Sequence, residues 1–218
     1  GVNSGSTLKL TGALGTTGLV TINTGGVLDL NGQSNTGAIS LSGTGISSAG
    51  ALINSSATAA TQSGDVTLAG ATSIGGTGNI TISGIISGSN ALTKVAANTL
   101  TLSGANTYTG STTISAGTLQ LNPGGTISSS SSIINNAALV YANNIVNTAN
   151  GVTGSGTIGV NSGSTLQLTG ALGTTGLVTI NTGGVLDLKE QTASETTRRD
   201  WSAVVSACDL INSSATAA

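Results

Sequence analysis

Few residues in this 218-residue chain can do acid–base or nucleophilic chemistry. Before Lys189 the only acids are Asp29, Asp65 and Asp187, there is one cysteine, Cys208, and there is no histidine. Glycoside cleavage takes two carboxyl groups held roughly 5–10 Å apart. Asp29 and Asp187 stand at equivalent places in two copies of one sequence, so they read as solvated charges a whole unit apart. Without histidine there is no Ser-His-Asp triad, no HExxH zinc site and no haem ligand of that type. Cys208 has no histidine or close basic neighbour to make it a thiolate, so it reads as a small apolar packing residue. Gly154, Gly156 and Gly159 spell G-x-G-x-x-G, but they run into strand text rather than a helix, which makes them turn glycines. The stretch GGTGNITIS at 75–83 has the glycines of a calcium-binding nonapeptide, with Ile80 where the ligand Asp is required. The expectation is no catalytic residue, no cofactor and no metal. Five Lys plus Arg against seven Asp plus Glu also leave a nucleic-acid backbone without counter-charge.

The elements that must carry these residues follow from repetition. Residues 1–30 and 159–188 are the same sequence except for Lys9 against Gln167, and LINSSATAA at 52–60 returns at 210–218 with the same offset. The chain is one tandem unit, restarting at Gly159, plus the beginning of the next. Within the unit, short runs place an apolar residue at every second position: TLKL 7–10, LVTI 19–22, VLDL 27–30, AISL 38–41, DVTLAG 65–70, NITISG 79–84, TLTLSG 99–104 and TLQL 118–121. That is the period of a strand with one buried face. Gly, Asn, Ser and Thr between the runs supply turn chemistry. Aromatic residues are 1% of the chain, too few for a sandwich of this length. A parallel β-helix needs only a narrow column of stacked aliphatic side chains. The predicted fold is therefore all-β, a parallel β-helix (β-solenoid) with coils of about twenty residues, on the order of eight coils per unit. No apolar run approaches the roughly 18 residues of a transmembrane helix. No secretory signal opens the chain at Gly1, which reads as a mature segment or a piece of a longer array.

The stretch SGIISGSNALTKVAANTLTLSGANTYTGSTTISAGTLQL, residues 83–121, resembles the autotransporter-associated β-strand repeat. The matching positions are Leu92, Lys94, Leu100, Leu102, Gly104, Asn106, Thr107, Tyr108, Gly110, Thr112, Ile114, Gly117 and Leu119. The resemblance implies a right-handed β-helix in a large secreted bacterial surface protein, the passenger of a type V secretion system. It implies a structural motif, with no catalytic residue to carry over.

One segment breaks the pattern. Residues 189–209, KEQTASETTRRDWSAVVSACD, hold seven of the twelve charged residues of the chain and stand where the first copy has residues 31–51. Trp201, Val204, Val205 and Cys208 follow i, i+3, i+4, i+7, the spacing of one apolar helical face, and Thr192 with Glu195 has capping-box spacing. The reading is a β-solenoid over 1–188, an anomalous charged segment at 189–209 that is either a short amphipathic helix capping the open end, a foreign graft or a divergent coil in strand form, and a repeat-derived tail at 210–218. Functionally the sequence points to a non-catalytic, extracellular solenoid, the stalk or body of a surface adhesin or filament. Exposed terminal edges favour end-to-end self-association. The alternatives are a solenoid that binds ice or polysaccharide through regularly spaced Thr, and, behind it, a polysaccharide lyase or hydrolase.

Overall fold

A computed structural model describes residues 1–14, 18–142 and 145–188, together with the backbone of Asp209–Ile211. The alternating runs become short strands, and every pairing between them is parallel, each strand lying beside the one a coil later. The fold is the expected all-β solenoid. Its one helical element among the described residues is a 3₁₀ turn at Ile46–Ser48. No helix of the described residues is long and apolar enough to cross a membrane. The expected helix, with Trp201, Val204, Val205 and Cys208, lies outside the described residues.

Each coil visits three faces in turn. The first face runs from Thr7–Lys9 through Val27–Asp29, Leu52–Asn54, the end of the long strand Val66–Gly76, Leu92–Lys94, Thr112–Ile114, Ile133–Asn135 and Val152–Gly154 to Leu172–Thr174, nine strands in register order. The second runs from Ser34–Asn35 through Ala60–Gln62, Ile80–Ile82, Thr99–Leu102, Thr118–Leu121, Ala138–Tyr141 and Thr157–Val160 to Val178–Ile180. The third holds Val20–Ile22, Ile39–Gly43, the start of Val66–Gly76 and Ile86–Ser87, then resumes as Val146–Ala149, Thr165–Leu168, Val185–Leu188 and Asp209–Ile211. Between those two stretches backbone bonds continue it, as where Thr107 N–H donates to Ile86 C=O at 2.9 Å.

Burial follows the alternation. On the second face Ile80, Leu100, Leu119, Leu139 and Ile158 stack in one inward column, and Ile82, Leu102, Leu121, Tyr141 and Val160 in the next. Each inward residue touches its equivalents above and below, so a thin aliphatic ladder excludes water along the whole solenoid.

The repeat does not close on whole coils. Thr7–Lys9 lies on the first face, whereas its twin Thr165–Leu168 lies on the third, seven complete coils and two further faces along. Val20–Ile22 and Val178–Ile180 differ in the same sense, third face against second. Local pairing is nevertheless preserved: Thr7↔Val27 and Leu8↔Leu28 recur as Thr165↔Val185 and Leu166↔Leu186.

Candidate functional site

The polar residues of the interior gather at the corners between faces, where the chain turns and backbone groups would otherwise be orphaned. Lys94 ends a first-face strand and is almost wholly buried, and among the described residues no carboxylate pairs with it. Its ammonium donates to the carbonyls of Val95 at 2.6 Å and Ala96 at 2.8 Å, and to that of Ala116 one coil later at 3.2 Å. It thus ties two successive coils at one corner. Burial lowers its pKa to about 8, because the charged form loses water.

At the corner between the third and first faces, the buried Tyr108 hydroxyl lies 2.7 Å from Thr112 Oγ1, which lies 2.9 Å from Ser130 Oγ, itself 2.9 Å from the carbonyl oxygen of Gly110. One consistent order has each hydroxyl donating to the next, ending on that carbonyl. Burial pushes the Tyr108 and Tyr141 phenols far above the usual tyrosine range. Asn106 receives Ile86 N–H on Oδ1 at 2.8 Å and donates from Nδ2 to Thr126 C=O at 3.0 Å, so it joins three coils. The remaining family-pattern positions divide simply. Leu92, Leu100, Leu102, Ile114 and Leu119 are buried core residues, Thr107 is exposed, and Gly104, Gly110 and Gly117 lie at turns.

Sequence reasoning missed the other staples. Asn35 and Gln62 are fully buried and joined at 2.6 Å, and both donate to Gly37 C=O. Asn54 receives Gly32 N–H at 2.9 Å and donates to Thr58 C=O and Asn79 C=O. The available signal was position. Each is the last residue of its strand, where a polar side chain can reach the turn.

The acids are spread out. Asp29 was expected to be a solvated charge, and it is buried instead. Ser55 N–H and Asn31 N–H both donate to Oδ1 at 2.9 Å, Ser55 Oγ lies 2.6 Å from Oδ2, and Lys9 Nζ lies 3.7 Å away. The next coil's turn folds over the end of the VLDL strand and covers it. Asp187 is likewise buried, with Gln167 Nε2 at 3.4 Å in place of the lysine. Asp65 is exposed and receives Ile85 N–H. The described bonds of these carboxylates hold turns. Ile80 is a core residue, and Gly154, Gly156 and Gly159 belong to strands and their corner.

Outward, the faces are nearly uncharged. On the second face Thr61, Thr81 and Thr101 stand opposite one another on successive coils, and Gln120, Val140, Gly159 and Thr179 continue the row.

A coil of this kind, with its buried lysine, hydroxyl chain and corner asparagine, recurs as a sequence pattern in other proteins. Residues 92–121 match the family model of the passenger-associated-transport-repeat. No curated protein and no solved structure matches the chain. The matched repeat begins at the Lys94 strand on the first face and ends with Thr118–Leu121 on the second, so it contains the Lys94 and Asn106 staples and the start of the hydroxyl chain. The matched repeat and the β-solenoid together fit a structural passenger segment, and the association of that repeat with autotransporters suggests a secreted or surface protein.

Proposed function

We propose that this chain is a non-catalytic, extracellular β-solenoid that serves as the stalk or body of a bacterial surface adhesin or filament. The observation that carries the reading is the direction of the polar chemistry. Lys94, the Tyr108–Thr112–Ser130 chain, Asn106 and Asp29 all spend their hydrogen bonds on backbone or on each other within the wall. Side chains used this way fix coil geometry. The 158-residue unit with its interior staples is a spacer that lengthens by addition, and the open strand edges at its ends favour end-to-end association. The test is immunolabelling of intact source cells with and without external protease. Labelling that external protease removes supports the reading, and labelling confined to lysed cells overturns it.

The in-register Thr61, Thr81 and Thr101 favour a second reading, a solenoid that adsorbs to ice or crystalline polysaccharide. A row of hydroxyls about 4.8 Å apart offers a regular lattice. Thermal hysteresis, or retention on crystalline cellulose or chitin that Thr81→Lys abolishes, supports it; neither effect removes it.

A further inference from the structure

The demands of the corners put two Asn-Gly pairs into the chain, Asn31–Gly32 and Asn150–Gly151. The fold requires each glycine. Gly32 has φ 74° and Gly151 φ 138°, where any side chain is strained, and a Cβ on Gly151 would stand 3.0 Å from the Ala171 carbonyl oxygen of the next coil. Each asparagine holds a neighbouring coil. Asn31 donates from Nδ2 to Leu10 C=O at 2.9 Å, and Asn150 donates from Nδ2 to Ser130 C=O at 2.8 Å. The combination is chemically fragile. Asparagine is among the least durable side chains, and a following glycine nitrogen, unhindered by a side chain, can attack its carboxamide carbon. The two pairs differ at that nitrogen. Gly32 N–H donates to Asn54 Oδ1 at 2.9 Å, and Asn31 is half-buried with its own N–H on Asp29 Oδ1. Asn150 is exposed, and among the described residues no hydrogen bond holds Gly151 N–H.

We propose that Asn150 is a site of spontaneous modification, converted to aspartate and isoaspartate while the solenoid stays folded, and that the fold protects Asn31. Gly151 N bonds to Asn150 Cγ, the Cγ–Nδ2 bond breaks, and the nitrogen leaves as ammonia, carrying the proton that Gly151 N gives up. Water then opens the cyclic imide at one carbonyl or the other, giving aspartate or isoaspartate. The consequence falls on the corner between the third and first faces. The new carboxylate only accepts hydrogen bonds, so it cannot hold the carbonyls of Ser130 and Ser128 that Asn150 Nδ2 reaches at 2.8 and 3.5 Å. Isoaspartate also lengthens the main chain just before the strand Val152–Gly154. Ser130 closes the hydroxyl chain of this corner, through Thr112 Oγ1 and the Gly110 carbonyl, so the released carbonyl belongs to a residue that chain depends on. The conversion runs one way and needs no enzyme. A nearly uncharged wall thereby gains a negative charge with age, at a fixed place in the coil.

The test uses the full chain. The folded protein is held in warm neutral buffer, sampled over weeks and digested at acid pH, which stops further ring closure. Mass spectrometry then follows the peptides around residues 31 and 150. The expected result is conversion at Asn150 several-fold faster than at Asn31, with isoaspartate among the products. In denaturant the two pairs convert at similar rates, because only the fold separates them. Equal rates at the two pairs in the folded chain overturn the proposal. So does an Asn150 that stays intact in the folded chain over a period in which denaturant converts it. Asn150→Asp reproduces one product directly. Its thermal midpoint is expected to lie below that of the unmodified chain, and an unchanged midpoint overturns the loosening of the corner.

Discussion

Lys94 is the residue whose chemistry departs most from its surroundings. Three carbonyls satisfy its ammonium, no anion among the described residues offsets the water it loses, and its pKa falls to about 8 from an ordinary 10.5. Holding the charged form in the folded chain therefore costs stability. Between about pH 8 and 10.5 the unfolded chain binds a proton that the folded chain has released, so stability rises with pH across that window. The tyrosines act in the opposite sense. Their folded pKa values are raised, so above about pH 10 the unfolded chain loses protons that the folded chain keeps, and stability falls. Denaturant midpoints measured from about pH 7 to 11 are expected to climb from about pH 8, turn over near about pH 10 and then decline. In Lys94→Met the climb is absent and the decline remains. A climb that persists in Lys94→Met assigns it to another group. Sequence reading placed Lys94, Tyr108 and Thr112 in a structural pattern by resemblance alone. Nothing in their spacing says that a lysine points inward, because its charge argues the reverse until the corner carbonyls are seen.

At the scale of the strand and its corner, legibility depended on which side chains fill the inward positions. Ile80–Ile82, Thr99–Leu102 and Thr118–Leu121 were readable because both inward residues of each are aliphatic, whereas Ser34–Asn35 and Ala60–Gln62 on the same face end on the buried Asn35 and Gln62. First-face strands such as Leu92–Lys94, Thr112–Ile114 and Ile133–Asn135 were not read as alternating runs, because Lys94, Thr112 and Asn135 occupy inward positions. Their polar ends serve the corners, and alternation alone cannot separate an inward staple from an outward residue. The corners also decide where glycine is required. A Cβ on Gly110 would stand 2.2 Å from the Asn90 carbonyl of the previous coil, whereas one on Gly12 meets nothing within 4 Å. Gly110→Ala must therefore push two coils apart and is expected to cost about 1–3 kcal/mol, as overpacking does. Gly12→Ala, at an ordinary φ, is expected to be neutral. Equal thermal midpoints for the two variants defeat this account of the corner.

For the whole molecule the consequential quantity is the mismatch between unit and coil. A tandem unit of 158 residues carries the chain seven coils and two faces forward, which puts Thr7–Lys9 and Thr165–Leu168 on different faces. Because pairing within each copy is unchanged, the rotation belongs to the unit itself and accumulates with every added unit. Two units differ by a third of a turn and three restore the first orientation. At about 4.8 Å per coil each unit advances about 37 Å, so full recurrence comes near about 110 Å. Any surface feature of the unit, such as the outward Thr row, then faces three directions in succession rather than forming one long stripe. A rod built this way presents its features all round and has no single adhesive side. The expectation is direct to check on concatenated copies of residues 1–158 carrying one cysteine per unit at Thr21, labelled with gold and imaged by cryo-electron microscopy. Labels should step round the axis by a third of a turn every ~37 Å, and a straight column of labels along one side would falsify the mismatch. The same arithmetic limits what can vary in such a chain. Adding or deleting one whole coil keeps the sense of each face, whereas changing a unit by a single strand and corner re-aims everything beyond it.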